Sequence, residues 1–190
     1  QTLEDAIFNT RHLLMFCSLG AASFVFVFAP WIEELLYHSN SSYNAMVIQL
    51  CIASYPAYCM VHIYGSVLTG AAKFKQFIRV LILSVVLNII LNSILIPAKG
   101  AVGCCIAALV SQYFCGVTTL AIATRTVNIS YHRKSLLIYV LFATLLTVFF
   151  YFGKNAFVNV WLILAIAVFV GVLFLFTQLG VFKKYFISLR

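Results

Sequence analysis

The sequence predicts an all-α fold: a polytopic membrane helical bundle with six transmembrane helices and both chain ends in the cytoplasm. Of the 190 residues, 64% are hydrophobic and only 8% are charged, and the mean hydropathy is +1.09. These values exclude a soluble globular domain. Apolar runs, each close to the roughly 20 residues that a helix needs to cross the hydrocarbon core of a bilayer, occupy nearly the whole chain.

The apolar runs are bounded by charged residues, proline or glycine. In chain order they cover residues 12–30, 43–68, 77–96, 101–124, 135–152 and 156–179. The loops between them are short, which indicates antiparallel neighbours in a bundle. Pro56 lies within the second run and lacks a backbone donor, so we expect a kink there. The chain starts at Gln1 without the features of a signal peptide, and we expect it to be a fragment of a longer protein.

The basic residues indicate the orientation of the bundle. Ten of the twelve lie before the first run, between the second and third or in the first turn of the third, between the fourth and fifth, or after the sixth. Lys99 and Lys154 fall on the other side. Because cytoplasmic loops carry an excess of lysine and arginine, both chain ends are predicted to be cytoplasmic. Attraction to anionic lipid headgroups is the alternative explanation. The ten residues are Arg11, Lys73, Lys75, Arg79, Arg125, Arg133, Lys134, Lys183, Lys184 and Arg190.

Small residues recur every four positions on two of the predicted helices. This spacing lets two helix backbones approach closely, so both stripes are predicted packing faces. One stripe consists of Ala53, Ala57, Val61 and Gly65, and the other of Gly103, Ala107 and Ser111.

The cysteines all lie in apolar runs, without a CxxC pair and without His or Asp at the spacing of metal ligands. We interpret them as small hydrophobic residues and expect no metal and no cofactor. The chain has no Ser-His-Asp set, HExxH motif or Walker loop, and we expect it not to be an enzyme. The six are Cys17, Cys51, Cys59, Cys104, Cys105 and Cys115.

Polar side chains inside the predicted spans are the sharpest functional signal. An amide or imidazole in hydrocarbon costs several kcal/mol unless it finds a partner or water. One interpretation is interhelical hydrogen bonding that holds the bundle together. The other is that these side chains line a water-filled path for a substrate. The residues concerned are Tyr55, Tyr58, His62, Asn88, Asn92 and Gln112. No Asp or Glu falls within a predicted span, so we expect no cation site of the usual carboxylate type.

The segment from Leu87 to Gln112 carries a recurring pattern. It resembles the N-x-x-L-N-x-x-L-I-P-x-x-G-x-x-G-A-A-x-A-T-x-x-S motif of polysaccharide flippases in the multidrug/oligosaccharidyl-lipid/polysaccharide exporter superfamily. The matching positions are Asn88, Leu91, Asn92, Leu95, Ile96, Pro97, Gly100, Gly103, Ala107 and Ser111.

The resemblance implies a MATE-like arrangement. Residues 1–125 would be the last four helices of the second flippase lobe, and residues 126–190 two trailing transmembrane helices. Pro97, Gly100, Gly103, Ala107 and Ser111 would form a rigid helix hairpin, in which Pro97 ends one helix and Gly100 allows the reversal.

The resemblance also implies a function. The protein would move undecaprenyl-diphosphate-linked O-antigen or capsule repeat units across the bacterial inner membrane by alternating access. Its partners would be the lipid-linked oligosaccharide, an N-terminal lobe of the same protein, and the polysaccharide polymerase and chain-length machinery, with no role for nucleic acid. Two alternatives remain: a cation-coupled multidrug exporter of the same superfamily, and a membrane scaffold subunit without a transport path.

Overall fold

The described part of the protein is helical apart from short turns. In the computed structural model these residues are 3–38, 41–127 and 133–156. They form α1 (Leu3–Tyr37), α2 (Ser42–Ala53), α3 (Tyr55–Gly70), α4 (Phe74–Lys99), α5 (Ala101–Val127) and α6 (Arg133–Ala156).

Five helical stretches of the described residues are long and apolar enough to cross a membrane. They are Asn9–Tyr37, Ser42–Gly70, Phe74–Lys99, Ala101–Thr126 and Leu137–Lys154. The all-α membrane bundle predicted from the sequence is therefore confirmed, with α2 and α3 together forming the second span. Apart from its first residue, the sixth predicted span, residues 156–179, lies outside the described residues.

Each helix packs along a neighbour, in the order α6, α1, α2–α3, α5 and α4. α1 runs antiparallel to α2–α3, because Phe26 is hydrogen-bonded to Gln49 while Glu33, further along α1, is bonded to the earlier residue Asn44. α5 covers another side of α2–α3, and α4 packs mainly along α5.

The first helix is longer at both ends than the sequence predicted. We expected the span to end at Pro30, but α1 continues through Pro30 to Tyr37. Proline has no N–H to donate to the carbonyl oxygen four residues earlier, which belongs to Phe26. The side chain of Gln49 on α2 donates to that oxygen at 2.9 Å. A neighbouring helix thus supplies the hydrogen bond that the proline removes.

The extension of α1 corrects two expectations about charge. Glu33, which the sequence placed in an external loop, lies inside the first span and is only 1% exposed. The expectation of a loop at Glu33 is therefore wrong, because this residue belongs to the same helix as the first span. Arg11, expected before the first span, is also within the helix and is 3% exposed. The predicted spans were taken to end at charged residues, because such residues are usually in loops. Glu33 and Arg11 are instead buried against neighbouring helices.

The second span is interrupted where the sequence predicted a kink. α2 ends at Ala53, and α3 restarts at Tyr55 with Pro56 in its first turn. Carbonyl groups at the end of a helix lose their usual donors. Here the hydroxyl of Tyr113 on α5 donates to the Ala53 carbonyl oxygen at 3.2 Å. The break is therefore supported by an adjacent helix.

The α4–α5 hairpin reverses at one residue. The sequence predicted that Pro97 ends the helix, but α4 continues through Pro97 and ends two residues later, at Lys99. Gly100 has φ of +59°, which favours glycine, and its N–H donates to the Ile96 carbonyl oxygen at 2.8 Å. A Cβ on Gly103 would clash with the Leu95 carbonyl group, so the two backbones touch. On the same side of α5, Ala107 and Ser111 are buried.

The stripe of small residues on α3 faces α5 and α4. A Cβ on Gly116 of α5 would lie 3.0 Å from the carbonyl oxygen of Ala57, which is fully buried. Gly65 lies against the ring of Phe77 on α4, where an added Cβ would come within 2.6 Å of the ring. Because of these close approaches, α3 packs in the groove between α4 and α5.

Aromatic rings join α6 to α1. Phe16 makes edge contacts with Tyr139 and Phe142, at centroid distances of 5.4 and 4.7 Å. Further along, Phe150 packs edge-on against Phe24 and Phe28. The fifth predicted span, residues 135–152, therefore lies in a helix that packs along α1 for much of its length.

Candidate functional site

The exposed face of α3 is polar. Its exposed residues are Tyr55, Tyr58, His62, Ser66, Thr69 and Gly70, with no aliphatic side chain among them. Tyr58, His62 and Ser66 are four apart and form a stripe along the helix. The remaining faces are covered by α1, α5 and α4. The stripe of Tyr55, Tyr58, His62 and Ser66 is called the α3 polar face below.

The exposed faces of α4 and α6 provide an internal comparison. Both present aliphatic and aromatic side chains, as expected of surfaces that contact lipid. On α4 these include Ile82, Leu83, Val86, Ile89, Ile90 and Ile94, and on α6 Leu137, Ile138, Val140, Leu141 and Leu145. The α3 polar face thus differs in chemistry from the lipid-like surfaces of the same bundle.

Two rings define the centre of the α3 polar face. Tyr58 and His62 make an edge contact, with ring centroids 4.3 Å apart and planes at 75°. Tyr55 lies one turn towards the helix break and is 44% exposed, and Tyr58 is 48% exposed. No residue in the described ranges hydrogen-bonds to the side chains of these three. In hydrocarbon that arrangement would be costly, so this face requires water, a polar ligand or another protein surface.

Asn88 and Asn92 lie elsewhere, at the contact between α4 and α5. The amide of Asn92 donates to Asn88 Oδ1 at 2.8 Å, and the amide of Asn88 donates to Ser111 Oγ at 2.9 Å. Ser111 in turn donates to the carbonyl oxygen of Ala107 at 2.8 Å. This chain links the two helices of the hairpin, in the manner of the interhelical hydrogen bonding that was one of the two interpretations.

One hydrogen-bond acceptor in this series of side chains receives no donor. Asn92 Oδ1 is buried and has no hydrogen-bond partner among the described residues. A buried amide oxygen without a donor is uncommon and costs about 1–3 kcal/mol. It is therefore a place where water or a ligand hydroxyl would be stabilised.

The six predicted path residues therefore fall into separate groups. Tyr55, Tyr58 and His62 share the exposed side of α3, while Asn88 and Asn92 form their own chain with Ser111. Gln112 is half-buried on α5, one turn before Gly116. No hydrogen bond or ring contact joins the two groups within the described ranges, so any common path would need a further surface opposite the α3 polar face.

Glu33 is a buried carboxylate that the sequence analysis missed. Its Oε2 accepts from the backbone N–H of Ser41 at 3.3 Å, and its Oε1 accepts from the Asn44 side chain at 3.1 Å. It therefore sits against the first turn of α2, where the positive end of the helix dipole stabilises negative charge. The signal in the sequence was the pair Glu33-Glu34, which begins three residues after Pro30 and was assigned to a loop.

A second buried polar cluster lies at the opposite end of α1. Arg11 interacts with the hydroxyls of Tyr64 on α3 and Tyr139 on α6. His12 Nδ1 lies 3.0 Å from the Tyr139 hydroxyl. The cluster connects three helices at one level of the bundle, and it explains how a charged residue is accommodated inside the first span.

Residues 1–94 match the MatE family model. No curated protein and no solved structure matches the chain. The MatE segment comprises α1, α2–α3 and most of α4, so it contains Glu33, the α3 polar face and both asparagines. It ends before the Gly100 turn of the hairpin.

The MatE match supports a place in the multidrug/oligosaccharidyl-lipid/polysaccharide exporter superfamily. Combined with the apolar helices, it identifies a multi-pass membrane protein with the features of a membrane transporter. The MatE match fits a transporter rather than an enzyme, and it does not distinguish among the cargoes that transporters of this superfamily carry.

Proposed function

We propose that the chain is part of a lipid-linked oligosaccharide flippase. In this proposal it moves undecaprenyl-diphosphate-linked polysaccharide repeat units across a bacterial inner membrane by alternating access. The MatE match and the motif around Asn88 and Pro97 support the superfamily, and the α3 polar face supports a hydrophilic cargo.

The observation that carries the proposal is the contrast between the exposed side of α3 and that of α4. Tyr55, Tyr58 and His62 are exposed on α3, while α4 exposes a row of isoleucine and valine residues. Exposed polar groups at membrane depth are stable only beside water or protein. A water-filled cavity between this bundle and a second lobe would satisfy that requirement.

The chemistry of the face suits a carbohydrate. Tyrosine has an apolar ring that packs against sugar C–H groups and a hydroxyl that can donate and accept. The imidazole of His62 can act in both roles as well. The polyprenyl chain would remain among the lipids, which in this proposal would contact the aliphatic faces of α4 and α6. The hydroxyl-rich glycan and the apolar polyprenyl chain would thus follow different surfaces of the bundle.

The test uses the full-length protein in cells that depend on it for surface polysaccharide. Replacing Tyr58 and His62 by leucine should reduce surface glycan at least about tenfold, because a path loses its hydrogen-bonding groups while bundle packing is unchanged. The lipid-linked repeat unit should accumulate inside the cell. Tyr151, which is 60% exposed on α6, provides the matched control as Tyr151→Leu. Normal glycan in the Tyr58→Leu/His62→Leu double variant, at normal expression, would refute the proposal.

A cation-coupled drug exporter is the second candidate. The observation that favours it is Glu33, a buried carboxylate of the kind that cation coupling uses. In an exporter, Glu33→Gln should abolish cation-dependent drug extrusion without lowering the amount of folded protein. If Glu33 serves only to hold the start of α2, the same change should lower stability and leave transport per folded molecule unaltered.

A scaffold subunit is the remaining alternative. It predicts that the α3 polar face contacts another protein and that transport is unaffected by changes there. Replacing His62 alone by leucine distinguishes the two, since a flippase should lose surface glycan while its expression and partners are retained. A scaffold should instead keep the glycan.

A further inference from the structure

Two of the cysteines lie next to each other in space although they are distant in sequence. Cys51 Sγ on α2 and Cys105 Sγ on α5 are 3.3 Å apart, across a sequence separation of 54 residues. Both are free thiols in the structure; Cys51 is exposed and Cys105 is 9% exposed. No other pair of cysteines in the described ranges makes such a sulfur–sulfur contact. In the sequence, without a CxxC pair, all six were expected to act only as small hydrophobic residues.

We propose that Cys51 and Cys105 are a disulfide-forming pair, a modification site that fastens α2 to α5 under oxidising conditions. A disulfide bond is about 2.05 Å long, so the two sulfur atoms need to approach by only about 1.3 Å. Rotation about the Cα–Cβ bonds moves a sulfur atom by this amount. The neighbouring helices already hold the two side chains face to face.

The exposure of the two thiols sets the order of the reaction. Cys51 is reached first, and its thiolate attacks one sulfur of an external disulfide, releasing one thiol and leaving a mixed disulfide. The Cys105 thiolate then attacks Cys51 Sγ and displaces the second thiol. In sum, two protein thiols become one disulfide and the external disulfide becomes two thiols. The oxidant is thus a small-molecule disulfide that can enter the second span, and the two protons end on its thiols.

The position of the bond gives it a mechanical effect. Cys51 lies two residues before the end of α2, close to the Ala53 carbonyl that Tyr113 of α5 supports. A covalent link there would hold α2 on α5 beside the helix break. It would therefore limit any change in the angle between α2 and α3. The proposal concerns the thiols alone and does not depend on the cargo.

The pair has a built-in control. Cys104 is adjacent to Cys105 in sequence and is exposed, but the sulfur atom that contacts Cys51 is that of Cys105. An accessible but wrongly placed thiol would remain a mixed disulfide with the oxidant, whereas a paired thiol would expel it. Cys104→Ser should consequently leave cross-linking unchanged, and Cys105→Ser should abolish it.

The experiment treats the purified full chain with 2,2′-dipyridyl disulfide, followed by trypsin digestion and mass spectrometry without reduction. We expect a cross-link between the peptides that contain Cys51 and Cys105, assigned by fragmentation. We also expect a thermal midpoint about 5 °C higher that reverts with dithiothreitol. In Cys105→Ser, Cys51 should retain the pyridyl group. Two results with the unaltered protein would overturn the proposal: a pyridyl group retained on Cys51, or a disulfide between Cys51 and Cys104. Mass spectrometry of the unaltered protein detects either one.

Discussion

The Gln49 side chain donates to the Phe26 carbonyl oxygen at 2.9 Å, and this bond joins two helices at the point where one of them contains a proline. Pro30 leaves that oxygen without a backbone donor, and the first helix nevertheless continues for seven further residues. Within a bilayer no water replaces the lost donor, so support from a neighbouring helix is required. The same principle explains Tyr113 at the α2–α3 break.

The hydrogen bond between Gln49 and Phe26 predicts that substitutions at Gln49 and Pro30 are energetically coupled. Gln49→Leu should destabilise the protein by about 1–2 kcal/mol, because the Phe26 oxygen then has no donor. In a Pro30→Ala background, the backbone N–H of residue 30 takes over, and the same Gln49 change should cost less than about 0.5 kcal/mol. The measurement is the unfolding free energy of the four proteins in a double-mutant cycle. Equal costs in both backgrounds would show that the bond does not compensate for the proline.

The close backbone approach in the α4–α5 hairpin makes a second prediction. Gly103→Ala should destabilise the protein by at least about 2 kcal/mol, because the added methyl group meets the Leu95 carbonyl and the helices must separate. The control is Gly70→Ala, since nothing lies within 4 Å of a Cβ there. That variant should be neutral within about 0.5 kcal/mol or slightly more stable, as alanine favours helix. Thermal unfolding of both variants provides the comparison, and similar midpoints would contradict the argument.

The sequence was sufficient for features that depend on local composition. Apolar length located the membrane-crossing helices, and the repeated small residues around Gly103 and Ala57 located faces at which backbones meet. Both follow from periodicity along a single helix. Pro56 also indicated the interruption of the second span, because loss of a backbone donor is a property of the residue itself.

Features that depend on partners from other helices could not be predicted. Glu33 and Arg11 resemble loop residues in sequence because a charge within a span is costly. Their actual cost is reduced by Ser41 and Asn44 at one end of α1 and by tyrosines of α3 and α6 at the other. The spacing of Asn88 and Asn92 gave their shared face, but not that Ser111 would lie opposite.

Tyr43 supports the hairpin turn from a third helix, and this gives another prediction. Its hydroxyl donates to the Lys99 carbonyl oxygen at 3.1 Å and accepts from the Val102 N–H at 3.4 Å. Tyr43→Phe removes both bonds and should destabilise the protein by about 1–2 kcal/mol.

The control for Tyr43 is Tyr37→Phe, since Tyr37 is also a tyrosine at a helix end, is 65% exposed, and its hydroxyl makes no hydrogen bond within the described ranges. It should change the unfolding free energy by less than about 0.3 kcal/mol. Hydrogen exchange of the Val102 amide gives a local measurement, which should accelerate in Tyr43→Phe and stay unchanged in Tyr37→Phe. Unchanged protection at Val102 in both variants would mean that the turn does not need Tyr43.

Two adjacent phenylalanines on α6 test whether that helix is an integral part of the bundle. Phe150 is 2% exposed and packs against Phe24 and Phe28 of α1, whereas Phe149 is 46% exposed. Phe150→Ala should destabilise the protein by about 3 kcal/mol, because it leaves a cavity between two helices, and Phe149→Ala by less than about 1 kcal/mol, because lipid fills the space. Unfolding in a mild detergent measures both. The two residues are of the same type and adjacent on α6, so they differ mainly in that Phe150 packs on α1. An equal loss for both would mean that packing of Phe150 on α1 does not stabilise α6.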